Sequence, residues 1–246
     1  RQGLGPLFGA TVGAGCGLTS IVFYTHGVFA VPITESTGWR RGEVQFAFTL
    51  MSLMAVLTAP AVGWLIDRFG ARRVALWAIP GFFAGLSLLS LTGGALQGYY
   101  AAFLAMAVLG AGTLPVTWTT VVNQWFHRNR GLALGIALSG TGIAAAIAPA
   151  YAGWLIAMGG WQSAYFWMAV TATVIALPVI YLCFRSPGPA RSGSGAGGGE
   201  VISAAHVTGS DFKEALSNYR LWVLCFSITL VAGSVTAVGE DGSNLN

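Results

Sequence analysis

Long stretches without charge constrain the fold of this chain more than any other feature of its sequence. Only 8% of its 246 residues are charged and 55% are hydrophobic, whereas a typical soluble domain carries about 25% charged residues. The remaining charges separate five apolar runs, in which His26 is the only ionisable side chain among Asp, Glu, Lys, Arg and His: residues 2–34, 44–66, 74–126, 131–184 and 221–239. Since about 20 apolar residues span a bilayer as a helix, the sequence predicts an all-α, multi-pass membrane protein.

Two of these runs, residues 74–126 and 131–184, are too long for one span each. Thr92-Gly93-Gly94 interrupts the first, and Gly159-Gly160-Trp161-Gln162 interrupts the second. Glycine pairs are typical of turns, and tryptophan favours the membrane interface. The chain therefore has six predicted helices and a seventh after a linker: Leu7–Pro32, Glu43–Ile66, Val74–Leu91, Tyr99–Val121, Gly131–Ala157, Ala164–Phe184 and Leu221–Val238.

The composition changes abruptly after the sixth predicted helix. The stretch SPGPARSGSGAGGGE has the composition of a flexible linker, and GSDFKEALSNYR is typical of a short amphipathic helix. We therefore expect a six-helix bundle over residues 1–185, a cytoplasmic linker over 186–219, and a seventh helix with a truncated end over 220–246. A lone seventh helix lacks partner helices, so we expect the sequence to be a fragment of a longer protein.

The positive charges indicate the orientation in the membrane. Cytoplasmic loops of membrane proteins carry an excess of Lys and Arg. If the N-terminus is cytoplasmic, ten of the twelve Lys and Arg residues fall on the inside, and only Arg40 and Arg41 fall outside. We therefore expect an integral, multi-pass protein with a cytoplasmic N-terminus, and we place it in a bacterial inner membrane.

Two short motifs recur along the chain and suggest an internal repeat. Arg-Gly pairs precede the second and fifth helices, Ala-Pro-Ala lies near the end of each, and these pairs are offset by 89 residues. GWLI follows both, and Gly-Ala-Gly occurs in helices one and four. Coincidence in an Ala/Gly-rich sequence is one interpretation. The other is a pair of inverted three-helix repeats, the way in which many secondary transporters are built.

The densest charges lie between the second and third helices, in GWLIDRFGARRV. This stretch fits G-x-x-x-D-R-x-G-x-R-R and resembles the cytoplasmic signature of the major facilitator superfamily. The resemblance implies a conformational latch, in which the glycine allows close helix approach and the aspartate engages a helix N-terminus and nearby arginines. An acid near a helix N-terminus gains from the helix dipole. Simple positive-inside anchoring would explain the arginines but not the acid or the glycines. The latch residues are Gly63, Asp67, Arg68, Gly70, Arg72 and Arg73.

A second stretch, NQWFHRNRGLALGIALSGTGIAAAIAPAYAGWLI, resembles the monocarboxylate-porter and oxalate/formate-antiporter branches of the same superfamily. GWRRGEV, GWQSAYFW and FKEALSNYRLWVL add to the likeness, so the resemblance covers nearly the whole chain. Met106 disfavours a drug exporter, because drug antiporters of the superfamily tend to carry an arginine at this position in helix four.

Small residues and a few polar ones complete the set of candidate site residues. Spacings of four residues put small side chains on one helix face, which favours close packing in membranes. The packing candidates are Gly9, Gly13, Gly17, Gly131, Gly135, Pro149 and Gly153. His26 is either a functional group within a span or a neutral histidine hydrogen-bonded near the outer interface. With Tyr24, Trp118 and Asn123 it forms our set of substrate-pathway candidates.

These expectations define a secondary transporter that works by alternating access. The resemblance implies a small mono- or dicarboxylate as substrate, with proton coupling or exchange, and a porter for another small solute is the alternative within the same class. A receptor, an enzyme or an inactive half-transporter are the alternatives from other classes. We expect no catalytic residue, metal or cofactor. The expected partners are the bilayer, the anionic substrate, protons and an absent C-terminal six-helix half, with no nucleic acid.

Overall fold

The computed structural model describes residues 3–126 and 129–184, all of them in helices or short connections. The helices are α1 (Leu4–Gly15), α2 (Leu18–Thr37), α3 (Arg41–Phe69), α4 (Ala71–Ser90), α5 (Leu96–Leu109), α6 (Pro115–Trp125) and α7 (Arg130–Cys183), with a 3₁₀ turn at Ala111–Thr113. The all-α fold is confirmed. The linker and the seventh helix lie outside the described residues, and their bounds stay predictions.

Four helical stretches are long and apolar enough to cross a membrane: Leu4–Thr37, Arg41–Phe69, Ala71–Ser90 and Arg130–Cys183. The last contains two spans, because Gly159 and Gly160 have non-helical backbone angles and Gly160 has φ 78°. The Tyr151 hydroxyl lies 2.7 Å from Thr171 Oγ1, although twenty helical residues would extend about 30 Å. The two arms of α7, residues 130–158 and 161–183, therefore lie side by side as a hairpin, as the glycine pair predicts.

Two predicted helices are each broken in the middle. The first predicted span divides into α1 and α2 at Cys16 and Gly17, and the fourth divides into α5 and α6 at residues 110–114. Pro115 is the first residue of α6, a position where its missing amide hydrogen costs no helical hydrogen bond. Both breaks adjoin the repeated Gly-Ala-Gly motif. This matching position supports the interpretation of related three-helix units.

The two breaks contact each other at the centre of the bundle. The amide of Leu18, at the start of α2, donates to Thr113 Oγ1 at 3.0 Å. Thr113 Oγ1 in turn donates to the Gly110 carbonyl at 2.8 Å. Trp118 Nε1 donates to the Thr113 carbonyl at 2.9 Å. Backbone groups freed by a break in an apolar bundle need partners, and Thr113 supplies them for both helices.

The end of the bundle where α2 meets α3 is closed by packed aromatic rings. Phe29 stacks on Tyr165 at a centroid distance of 4.0 Å, and Trp39 packs on Tyr99 at 5.2 Å. Trp161 is only 3% exposed, and its Nε1 donates to Ser36 Oγ at 2.7 Å. Its indole packs inside the bundle, where Ser36 satisfies its polar group, and it directly follows the turn at Gly159 and Gly160. The expected position of Trp161 at the membrane interface stays a prediction.

Burial is uneven among the spans. In α3 only 17% of the most apolar window is buried, and in α7 28%, against 56% for the stretch formed by α1 and α2. Leu53, Val56 and Leu57 of α3 and Leu132 and Ile147 of α7 are all more than half exposed. These two helices present broad apolar faces away from the described bundle.

Candidate functional site

The segment that carries the superfamily signature is a tight turn between α3 and α4. Gly70 ends the first helix and precedes the second, with φ 84° and ψ 142°. L-amino acids rarely adopt a positive φ of this kind, so the turn requires glycine there. The Gly70 amide donates to the Ile66 carbonyl at 2.8 Å, and its own carbonyl accepts from the Arg73 amide at 3.1 Å. Gly70 therefore fixes the angle at which the charged residues leave the two helices.

The three arginines of this turn have different surroundings. The Arg68 guanidinium lies 5.3 Å from the Trp64 ring and 5.7 Å from the Phe69 ring, within the range of cation–π attraction. Arg72 Nη2 donates to the Tyr181 carbonyl at 2.8 Å. This bond ties the start of α4 to the last turn of α7, where a cation is favoured by the helix dipole. Arg73 is exposed and lies at the edge of a groove between α3, α4 and α5.

Asp67 does not make the expected contacts with its neighbours. Its side chain is exposed, and within residues 3–126 and 129–184 it has neither a hydrogen bond nor an ion pair. Gly63 also has no close neighbour there, since an added Cβ would meet nothing within 4 Å. The expected close helix approach and the expected aspartate–arginine contacts are thus both absent from the described bundle. The latch therefore stays a prediction.

The four pathway candidates do not converge on one site. His26 is 7% exposed, stacks on Phe48 at 4.4 Å, and places Nε2 against the side-chain oxygen of Gln45. Tyr24, by contrast, is 43% exposed. His26 thus holds α2 to α3 through Gln45, which lies four residues after Arg41, the first residue of α3. This position agrees with the interpretation of a hydrogen-bonded histidine near the interface.

Trp118 and Asn123 have packing and bridging positions. Trp118 is 1% exposed and lies under Gly13 of α1, so it does not line an open pathway in the described bundle. Asn123 Oδ1 accepts a 2.5 Å hydrogen bond from Arg130 Nε, and this bond joins the end of α6 to the start of α7. Our interpretation of these two residues as pathway-lining is therefore not supported. Their side chains are engaged in holding helices together.

The expected small-residue face exists on α1 but not on α7. Added Cβ atoms at Gly9, Gly13 and Gly17 would lie 3.1 Å from Phe184, 2.5 Å from Trp118 and 2.7 Å from the Thr113 carbonyl. At Gly131 and Gly135 they would meet nothing within 4 Å. Within the described residues these last two glycines have no close neighbour, and the packing role expected of them stays a prediction.

The close contact of α7 is made by Gly140, which we did not predict. An added Cβ there would fall on the Thr11 carbonyl oxygen of α1, and one at Gly15 would lie 2.8 Å from the Gly140 carbonyl. Thr11 Oγ1 also lies 3.2 Å from the Ile136 carbonyl. Gly140 follows the series Gly131, Gly135, Ser139 by one residue, and one residue turns a helix face by 100°. The helices cross backbone to backbone on that neighbouring face.

Gly153 is not tightly packed in the described part of the chain, and Pro149 is half-buried. Pro149 lies within α7, and an added Cβ at Gly153 would meet only Val28, at 3.8 Å, an ordinary van der Waals distance. Both residues belong to the arm of α7 that is largely exposed.

The chain is similar in sequence to several characterised transport proteins. The chain is 25% identical over 228 residues to an oxalate:formate antiporter of Oxalobacter formigenes. This alignment covers 89% of this chain and 52% of the antiporter. It is 28% identical to the riboflavin transporter RibJ of Trypanosoma cruzi, over 51% of this chain and 26% of RibJ. It is also 28% identical to the mouse (Mus musculus) monocarboxylate transporter 14, over 57% of this chain and 27% of that protein.

The aligned part is about half of the antiporter and about a quarter of each of the other two relatives. All three are named as transporters or as an antiporter, in agreement with the expectation that the chain is not an enzyme. The sequence pattern of the Major Facilitator Superfamily matches residues 5–239, which include the signature turn, both helix breaks and the hairpin of α7. The chain therefore belongs to the Major Facilitator Superfamily.

Proposed function

We propose that the chain is the N-terminal part of a secondary transporter that carries a small organic anion across the membrane. The observation that carries this proposal is the combination of a membrane-spanning bundle with superfamily membership and relatives named for oxalate, formate and monocarboxylates. The relative named for riboflavin favours the alternative, a porter for another small solute. The proposal extends to alternating access and to proton coupling or exchange.

The exposed faces of α3 and α7 support alternating access. Transporters of this kind move two bundles against each other around a site near the middle of the membrane. Both helices are little buried, and large apolar side chains such as Leu53 and Val56 of α3 and Ile147 of α7 are exposed on them. We infer that these faces contact a second six-helix half. Five further hydrophobic spans in the genomic sequence downstream of Asn246 are the expected finding, and their absence would contradict this inference.

Uptake into proteoliposomes tests the substrate class. The protein expressed from its complete gene is expected to accumulate labelled oxalate or lactate, several-fold more with an inward proton gradient than without one. Empty liposomes and labelled glucose serve as controls. Uptake of riboflavin or glucose without any carboxylate would exclude the proposed substrate class. If carboxylate uptake does not depend on a proton gradient but requires carboxylate inside the vesicles, the transport mode is exchange rather than symport.

Asp67→Asn tests the latch. Because Asp67 is unpaired in the described bundle, we propose that its partner belongs to the absent half and that their contact favours the outward-facing state. Loss of the charge should shift the inward/outward ratio about fivefold, a coupling free energy of about 1 kcal/mol. The measurement is the labelling rate of a cysteine at Leu53, with Glu35→Gln, an exposed acid before the α2–α3 turn, as matched control. Equal labelling rates in both variants would count against the latch.

A further inference from the structure

A groove of about 410 Å³ lies between the ends of α3 and α4 and the break that separates α5 from α6. Leu65 and Phe69 form one wall, Val74 and Trp77 the other, and Val108 and Leu109 the floor. Arg73 at its edge is the only lining residue that is neither apolar nor glycine. An apolar space with a single cation at its edge suits a ligand that has a hydrocarbon chain and an anionic head.

The position of the groove corresponds to the outer part of one leaflet. Arg73 is the third residue of α4, and Ala78, at the inner end of the groove, lies about 8 Å further along the helix axis. Half of a bilayer core is about 15 Å thick. Arginines at helix ends extend toward the headgroups, so a guanidinium there and an apolar space beside it match the two parts of a phospholipid.

The surroundings of the groove favour lipid over solvent. Trp77 is 82% exposed, Trp64 57% and Phe69 46%, and exposed aromatic rings at helix ends are typical of membrane interfaces. Arg68 and Arg72 lie at the same end, Arg72 already bonded to Tyr181. Arg73 has neither a hydrogen bond nor an ion pair in the described part of the chain. The nearby Asp67 offsets only one of these three positive charges, so this end of the two helices keeps a net positive charge.

We propose that this groove binds an anionic phospholipid, with the phosphate at Arg73 and one acyl chain between Trp77 and Val108. The lipid lies in the leaflet on the Arg73 side, which the positive-inside pattern assigns to the cytoplasm. By filling the space between α3 and α4, it stabilises the turn that carries the superfamily signature. The proposal depends on membrane insertion and not on which solute is transported.

Native mass spectrometry of the protein from its complete gene tests this site. The protein is reconstituted with equal amounts of phosphatidylglycerol and phosphatidylcholine that have matched acyl chains. Wild-type protein is expected to retain phosphatidylglycerol preferentially. Arg73→Gln should reduce this preference about fivefold, the contribution of one cation near an anionic headgroup. Arg41→Gln removes an exposed cation at the opposite end and should leave the preference unchanged.

A second pair of variants tests the apolar part of the groove without changing charge. Val108 is 51% exposed on the groove floor, so Val108→Trp should fill the space and reduce retention of both lipids. Val56→Trp, at a position 69% exposed and outside the groove, is the matched control. No preference for phosphatidylglycerol, equal losses in Arg73→Gln and Arg41→Gln, or unchanged retention in Val108→Trp would overturn the proposal. Cross-linking of a cysteine at Val108 to another part of the protein would assign the groove to a protein interface instead.

Discussion

Gly140→Leu is expected to destabilise the bundle by more than about 3 kcal/mol, because overpacking at a site without space forces the backbones apart. The added side chain would fall on the Thr11 carbonyl of α1, and Gly15 faces Gly140 from the other side. The measurement is the midpoint of thermal unfolding in detergent, followed by the loss of the monodisperse peak in size-exclusion chromatography.

Gly135→Leu is the matched control for this crossing. It lies five residues earlier in the same helix, where an added Cβ meets nothing within 4 Å. Its unfolding midpoint should lie well above that of Gly140→Leu, because this position lies away from the crossing with α1. Equal unfolding midpoints for the two variants would contradict the backbone crossing of α1 and α7 at Gly140.

Trp118→Ala is expected to cost about 3–5 kcal/mol, the range for deletion of a fully buried tryptophan. The indole fills the space beneath Gly13, lies 5.2 Å from the Phe184 ring and donates to the Thr113 carbonyl at the α5–α6 break. Trp118→Phe keeps a six-membered ring but loses the rest of the indole and its hydrogen bond, so a smaller loss of about 2 kcal/mol is expected. Both are read from thermal unfolding in the same detergent.

Trp154→Ala separates burial from residue type in this comparison. Trp154 is 58% exposed on the first arm of α7, so its removal from the described bundle leaves no internal cavity. A loss of stability equal to that of Trp118→Ala would show that the α1–α6 packing described here is not the source of the effect.

The positions of the spans could be predicted because charge decides where a helix can lie in a bilayer. The turns at Gly70, Gly94 and Gly160 all have positive φ, and each lies at a point where the sequence pattern predicted a connection. The breaks at Cys16 and at Gly110 could not be predicted in the same way. They lie inside uncharged runs, and their positions depend on tertiary contacts such as that of Leu18 with Thr113.

The candidate site was less predictable than the spans, because sequence spacing does not show which face of a helix has a neighbour. The series Gly131, Gly135 and Ser139 pointed to one face of α7, whereas the contact with α1 lies one residue further round, at Gly140. Similarly, the signature grouped three arginines that the structure separates. Arg72 bonds to the Tyr181 carbonyl, Arg68 lies over aromatic rings, and Arg73 borders the groove.

Tryptophans show the same limit. Residue type does not show whether Trp161 and Trp118 lie on the surface of the bundle or inside it. Both are buried, with Nε1 donating to Ser36 Oγ and to the Thr113 carbonyl. A buried indole is stable where a local acceptor exists, and only tertiary structure shows which acceptors are near.

Counterflow in proteoliposomes tests the central claim most directly, because it detects carrier-mediated exchange without any assumed driving ion. Vesicles that contain the protein from its complete gene are loaded with unlabelled oxalate and diluted into trace labelled oxalate. The proposed function predicts transient accumulation of label that depends on the internal carboxylate and is lost in the destabilised Gly140→Leu variant. The result that would contradict transport of a small organic anion is correctly inserted protein that accumulates labelled riboflavin but no labelled oxalate, formate or lactate.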